Sequence, residues 1–261
     1  MNLNYRQYSS EGKPLLILHG LFGSLSNWGW HSKQLAEHYA VYGVDLRNHG
    51  ESFHHDEMNY QVMAEDVRQL LGQLGIESCY MIGHSMGGKV AMQLALSYPQ
   101  LIEKLIVVDI APVAYSAAAD GHMDVMAGME SLDFEKISSR AEAEQELEPF
   151  IPDESTRKFV LTNLQRKEDG HYQWRLNLSA IRAHYDQLRD KPIGDVAFSG
   201  PVLFVKGALS NYIQQSHEAE IISLFPAATV KVIMQAGHWL HAEKPQALQK
   251  IMLAFLQAAE D

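Results

Sequence analysis

The stretch Cys79-Tyr80-Met81-Ile82-Gly83-His84-Ser85-Met86-Gly87-Gly88-Lys89-Val90-Ala91-Met92 opens on a short apolar run and closes on alanines and large apolar residues at helical spacing. Strand, sharp turn and helix follow one another, with Ser85 at the tip of the turn. The Gly-x-Ser-x-Gly spacing has a steric reason. Ser85 must adopt a strained backbone conformation to raise its hydroxyl above the sheet. Glycines two positions to either side let strand and helix approach without Cβ collisions. A bare pentapeptide of this kind is common, but the flanking strand and helix supply the context that gives it meaning.

Outward from this turn, apolar runs and helical patterns alternate. Leu15 to Leu18 is a buried-strand run that leads into His19-Gly20-Leu21-Phe22-Gly23-Ser24. Residues 28–39 have loose helical periodicity. Ala40 to Val44 is the next strand, ending in Asp45. Asn59 starts a helix with Val62, Val67, Leu70, Leu71 and Leu74 as its apolar face and Gly75 as its stop. Leu105 to Val108 ends in Asp109-Ile110-Ala111-Pro112. The connections are too long for hairpins, so the sheet is mostly parallel with helices on both faces. Such sheets bind ligands at the carboxyl ends of their strands, which places His19, Asp45, Ser85 and Asp109 along one rim.

The rhythm breaks after Pro112. Charged helical stretches at 122–130, 139–148, 154–167 and 177–189 replace the strands until about Ser199. The expected organisation is an α/β core of residues 1–112 and 200–261 carrying an inserted helical cap, 113–199. Strand order resumes at Val202-Leu203-Phe204-Val205. A helix near 214–224, a strand at Thr229 to Ile233 and a closing helix from Pro245 to about Ala258 complete the chain.

Composition restricts the function. Of 261 residues, 46% are hydrophobic and 20% charged, which is ordinary for a soluble globular enzyme. A formal net charge of −11 repels polyanions and excludes general nucleic-acid binding. The single cysteine, Cys79, permits no internal disulfide and reads as a small core residue. No signal-peptide pattern and no long apolar run are present, so a cytoplasmic protein without stable membrane insertion is expected. His54-His55 point apart and read as a solvated loop, so no metal and no cofactor are implied.

A serine hydroxyl needs an adjacent base that is itself oriented by an acid. In the chain order serine, acid, histidine, the base comes after the last strand. His238 fits, and His241 is expected on the surface or behind the site. For the acid, the loop after Val205, Gly207-Ala208-Leu209-Ser210-Asn211, offers no carboxylate. Asp109 ends the strand beside the serine strand, and neighbouring strands lie about 4.8 Å apart. Asp45 is the runner-up, with a strand intervening. Acyl transfer also needs donors for an oxyanion. The backbone N–H of Met86 is one and that of Leu21 the other. The side chains of Leu21 and Met86, with Trp239, are expected to bind substrate. Met123, Met126 and Met129 form an apolar stripe that reads as cap packing. Arg175 pairs either with one of the acids in the cap or with a substrate carboxylate or phosphate.

The motifs HGLFGS, DLRNHGES, GHSMGGK, VVDIAPV and AGHWLHAEKP, taken in order, resemble those of the α/β-hydrolase superfamily, and most closely the bacterial YbfF-type esterases. The resemblance extends nearly end to end. It implies an α/β-hydrolase fold with a helical cap and hydrolysis of short- to medium-chain acyl esters and acyl-CoA thioesters. It implies Asp109 as the acid, and Ser210 as a fourth member of the catalytic network. This chain departs from its relatives in reading Gly207-Ala208-Leu209 just before that serine. A small-molecule acyl substrate and a monomer or small homo-oligomer are the expected partners. The alternatives are a lyase or carbon–carbon hydrolase using the same triad, or a binding protein that has lost catalysis.

Overall fold

Apolar runs bounded by Gly, Pro and Asp become strands, and the periodic stretches between them become helices. The computed structural model describes residues 2–116 and 121–258. It begins with β1 (Tyr5–Gln7), β2 (Pro14–Leu18), α1 (Gly29–Leu35), β3 (Ala40–Val44), α2 (Tyr60–Leu74), β4 (Cys79–His84), α3 (Met86–Ser97) and β5 (Ile102–Val108). Next come α4 (His122–Ser131), α5 (Arg140–Leu147), α6 (Glu154–Leu161), β6 (Leu164–Arg166), β7 (Tyr172–Trp174), α7 (Leu178–Ala183) and α8 (Tyr185–Arg189). The chain closes with β8 (Val202–Gly207), α9 (Glu218–Leu224), β9 (Ala228–Ile233), α10 (Leu240–Glu243) and α11 (Pro245–Gln257).

Seven strands form one sheet in the order β1-β3-β2-β4-β5-β8-β9. Only β1 runs antiparallel to its neighbour. Alternate residues feed two cores. Leu16, Leu18, Met81, Val107 and Phe204 face one, with α2 and α3 residues such as Met63, Val67, Val90 and Leu94. Leu15, Ile17, Ile82, Ile106 and Val205 face the other, with Leu35 of α1 and Leu248, Met252 and Leu256 of α11. Burial on both faces is why these strands read as unbroken apolar runs. Cys79 is buried in the first core, and burial pushes its thiol up to about 12.

Asn59 caps α2 by accepting from Val62 N–H, and Gly75 ends it in the left-handed region at φ +66°. The buried face of α2 turns on Met63, Ala64, Val67, Leu70 and Leu71, whereas Val62 and Leu74 are only half-buried.

Between β5 and β8 the helical expectation holds in part. The stretch expected as one helix over 154–167 stops at Leu161, and β6 pairs with β7 instead. Thr162 and Asn163 end the helix. The Asn163 amide donates to Val160 O and to Phe22 O, which diverts it from the helical ladder. The stretch 177–189 breaks at His184 into α7 and α8. Met126 and Met129 are buried in this segment while Met123 is exposed. Buried Lys89 of α3 donates to Val113 O at 2.9 Å, Arg189 O at 3.1 Å and Asp190 O. One ammonium thereby ties both ends of the β5–β8 segment to the helix that begins after Ser85. Among the described residues, no helix is long and apolar enough to cross a membrane.

Candidate active site

Ser85 sits between β4 and α3 at φ +52°, a conformation side chains rarely adopt. The glycines around it are required by contact. A Cβ on Gly83 would lie 2.3 Å from Gly87 O, and one on Gly87 would lie 2.4 Å from His19 O. Register then sets the neighbours. His84 pairs with Val108, Ser85 N–H donates to Val108 O at 3.0 Å, and Asp109 N–H donates to Val205 O at 2.8 Å. The ends of β4, β5 and β8 therefore stand side by side.

His238 arrives after β9. Its Nε2 lies 3.0 Å from Ser85 Oγ, and its Nδ1 lies 2.7 Å from Asp109 Oδ2. A carboxylate can only accept here, so Nδ1 carries the ring proton and Nε2 accepts from the serine hydroxyl. Asp109 is fully buried. Its Oδ1 accepts from Gly207 N–H at 2.9 Å, and its Oδ2 also accepts from the Ser210 hydroxyl. Ser85, His238, Asp109 and Ser210 thus form one continuous network.

Asp45 is elsewhere. It ends β3, which β2 separates from β4. Its carboxylate accepts from Leu25 N–H at 2.7 Å, Asn4 Nδ2 at 2.8 Å and Glu51 N–H at 3.0 Å. It pins loops together and does not face His238.

The loop after β2 lies against the serine: a Cβ on Gly20 would be 3.3 Å from Ser85 Cβ. Phe22 N–H is already taken by His49 Nε2 at 3.2 Å. Met86 is the first residue of α3, where no carbonyl one turn back exists to accept its N–H. Leu21 lines the cavities on both sides of Ser85, Met86 lines one of them, and Trp239 lines the other. The Trp239 ring packs edge-on against Phe159 of α6, with centroids 3.9 Å apart.

Several neighbours of the site carry no local sequence signal. The Tyr212 ring stacks on His238 at 4.1 Å, and His84 Nε2 donates to His238 O at 2.9 Å. Glu243 brackets His238, accepting from Gly237 N–H at 2.7 Å and Trp239 N–H at 3.1 Å. His241 is not on the surface: it is buried, lines the larger cavity together with Ser85 and His238, and stacks on Trp28 at 4.9 Å. Burial pushes His241 well below the usual histidine range, and it pushes His84 down to about 3. These rings stay neutral beside His238.

Among the described residues, no group of three or more His, Cys, Asp or Glu could hold a metal ion. His54 Nε2 bonds to Arg175 O at 3.0 Å. Arg175 itself pairs with Glu51 at 3.4 Å, an acid of the loop after β3 rather than of the cap.

The model of the alpha/beta hydrolase fold family matches residues 13–245. The sn-1-specific diacylglycerol lipase ABHD11 of Danio rerio is 42% identical over 98% of this chain and 83% of its own length. Esterase YbfF of Escherichia coli is 33% identical over 98% of this chain and 99% of its own. A solved structure, that of a marine microorganism esterase, is 39% identical with a TM-score of 0.95, covering 98% of this chain and 99% of that one.

Proposed function

Since this chain belongs to the alpha/beta-hydrolase family, we propose that it is a serine hydrolase of carboxylic esters that carries the acyl group of its substrate on Ser85. The observation that carries this reading is the unbroken line from Ser85 Oγ through His238 to Asp109, with steps of 3.0 and 2.7 Å, opening onto a cavity of about 170 Å³. Ser85 Oγ attacks the carbonyl carbon as His238 Nε2 takes its proton. Asp109 holds the ring in the productive tautomer and stabilises the imidazolium. The N–H groups of Leu21 and Met86 donate to the oxyanion. His238 then protonates the leaving oxygen, and water attacks the acyl-enzyme by the same route in reverse. Ser210 donates to Asp109 and tunes it without touching substrate. Residues 113–199 act as a cap over the core formed by 1–112 and 200–261, a reading supported by His122, Val125 and Phe159 in the cavity wall.

The test is labelling with a fluorophosphonate, read by intact mass and peptide mapping, alongside turnover of p-nitrophenyl acetate. Wild type gains one adduct at Ser85 and hydrolyses the ester. Ser85→Ala and His238→Ala each lose nearly all turnover. Retained turnover in Ser85→Ala refutes the proposal.

A further inference from the structure

Two cavities meet at Ser85, and they differ in one respect that chemistry can use. The larger, about 170 Å³, has His238 and Trp239 in its wall. Beyond Phe159 and Trp239 lies a groove of about 410 Å³ carrying Asp153 and Glu243. The smaller, about 30 Å³, is bounded by Met86, Ile110, Tyr60 and Leu188, and His238 is absent from its wall. In the reaction proposed above, the departing oxygen takes its proton from His238 Nε2 as its bond to the acyl carbon breaks. The leaving group must therefore occupy the cavity that His238 lines. The acyl chain, which stays on Ser85 Oγ, is left with the smaller one.

Building on that reading, we infer that the substrates are short acyl esters, acetate or propanoate, of a bulky, uncharged alcohol. A single water molecule needs about 10–15 Å³ of such space, so 30 Å³ takes about two carbon-sized groups. The wall around this pocket is tied down. The Tyr60 hydroxyl donates to Leu188 O, and Lys89 holds Val113 O and Arg189 O. Tyr115 Oη accepts from Ala111 N–H at 2.9 Å and donates to Tyr212 O at 2.5 Å. A longer acyl chain has to break these bonds or leave the pocket.

Charge selects the alcohol. No lysine or arginine is among the described residues lining the leaving-group cavity or the groove. Asp153 is held below the usual carboxylate range by the Ser155 hydroxyl and the Thr156 amide and hydroxyl. With a chain net charge of −11, this side repels a polyanionic leaving group such as the nucleotide thiol of an acyl-CoA.

The experiment has three readouts on one protein preparation. Ser85 is titrated with fluorophosphonate; kcat/KM is measured on p-nitrophenyl acetate, propanoate, butanoate, hexanoate and octanoate; and acetyl-CoA is compared with neutral S-acetyl-N-acetylcysteamine. Acetate and propanoate are expected to be the fastest, with a fall of about tenfold or more by hexanoate. The neutral thioester is expected to exceed acetyl-CoA by at least about tenfold at low salt, the gap narrowing as salt screens the groove. Leu188→Ala, or Ile110→Val should the first variant fold poorly, moves the optimum to a longer chain. Complete labelling with hexanoate or octanoate fastest overturns the acyl assignment alone. Equal or better use of acetyl-CoA overturns the charge assignment. Failure to label Ser85 with no ester turned over overturns the serine-hydrolase reading, and this inference with it.

Discussion

Asp109→Asn removes a charge and almost no volume, and the hydrogen bonds around the carboxylate set its cost. Oδ1 accepts from Gly207 N–H at 2.9 Å, so the carbonyl oxygen of the asparagine belongs there. Its NH2 then faces His238 Nδ1, which now has to accept. The ring proton moves to Nε2, the atom 3.0 Å from Ser85 Oγ, and a protonated Nε2 cannot take the serine proton. In serine proteases the same tautomer fault lowers kcat by about 10⁴. The asparagine can escape it by flipping, which sets two N–H groups face to face in a fully buried position. An unsatisfied buried donor costs about 1–3 kcal/mol. Two of them, about 4 kcal/mol at mid-range, make the flip cost roughly 10³-fold in rate at 1.36 kcal/mol per tenfold. The expected loss in kcat is therefore about 10²- to 10⁴-fold. KM should hardly change, because Asp109 lies behind His238 and lines neither cavity. The assay is p-nitrophenyl acetate turnover normalised to labelled Ser85, with circular dichroism to verify the fold. A kcat within tenfold of wild type refutes Asp109 as the acid.

Two further predictions bear on the groups around the triad. Ser210→Ala leaves Asp109 its bonds to Gly207 and His238 but removes a donor from Oδ2. The carboxylate is then held less firmly behind His238, so kcat/KM should fall about three- to tenfold; an unchanged rate would show the serine to be a bystander. Burial holds both His49 and His84 down to about 3 against an ordinary 6.5. Because the folded-state values are depressed, the unfolded chain binds the extra protons, and stability is lost as pH falls below 6.5. From pH 7 to pH 5 each ring should cost about 2 kcal/mol. Urea unfolding at the two pH values reads the total loss, to which buried His241 and His19 also contribute, and His49→Gln should reduce it by about 2 kcal/mol; a stability that is flat over this interval contradicts the neutral-ring account.

Where burial alone dictated structure, the sequence was readable. β2, β4, β5 and β8 are covered on both faces and appear as apolar runs, so the sheet, its parallel sense and its serine turn could all be read from the residues. The exposed edge strand β1, Tyr-Arg-Gln, has no such signature, because only its pairing with β3 makes it a strand. The β6–β7 pair is likewise three residues on each side, mostly half-exposed, and the helical stretch 154–167 ran through β6. His238 was legible from its place after the last strand. The burial of His241 was not, since it depends on Trp28 and His31, more than 200 residues earlier. Glu243 and Tyr212 were missed for the same reason: each acts on His238 through a turn geometry or ring contact that no spacing rule encodes.

The position of the proposed acid, Asp109, derives from sheet geometry rather than from the loop that carries it. β5 and β8 are neighbours in register, Val108 opposite Val205, so the residue after either strand emerges on the same rim. Asp109 adopts φ +52° there and turns its carboxylate toward the exit of β8, where Gly207 N–H donates to Oδ1 and the Ser210 hydroxyl donates to Oδ2. The charge thus sits at the mouth of the β8 loop although β5 supplies it. A carboxylate at position 210 would stand against Asp109 in a buried site, and two such charges cannot both remain ionised. The absence of an acid after β8 and the strained aspartate after β5 are therefore a single structural fact. Ser210 instead presents a hydroxyl that donates to Oδ2, a third partner for the buried carboxylate beside Gly207 N–H and His238.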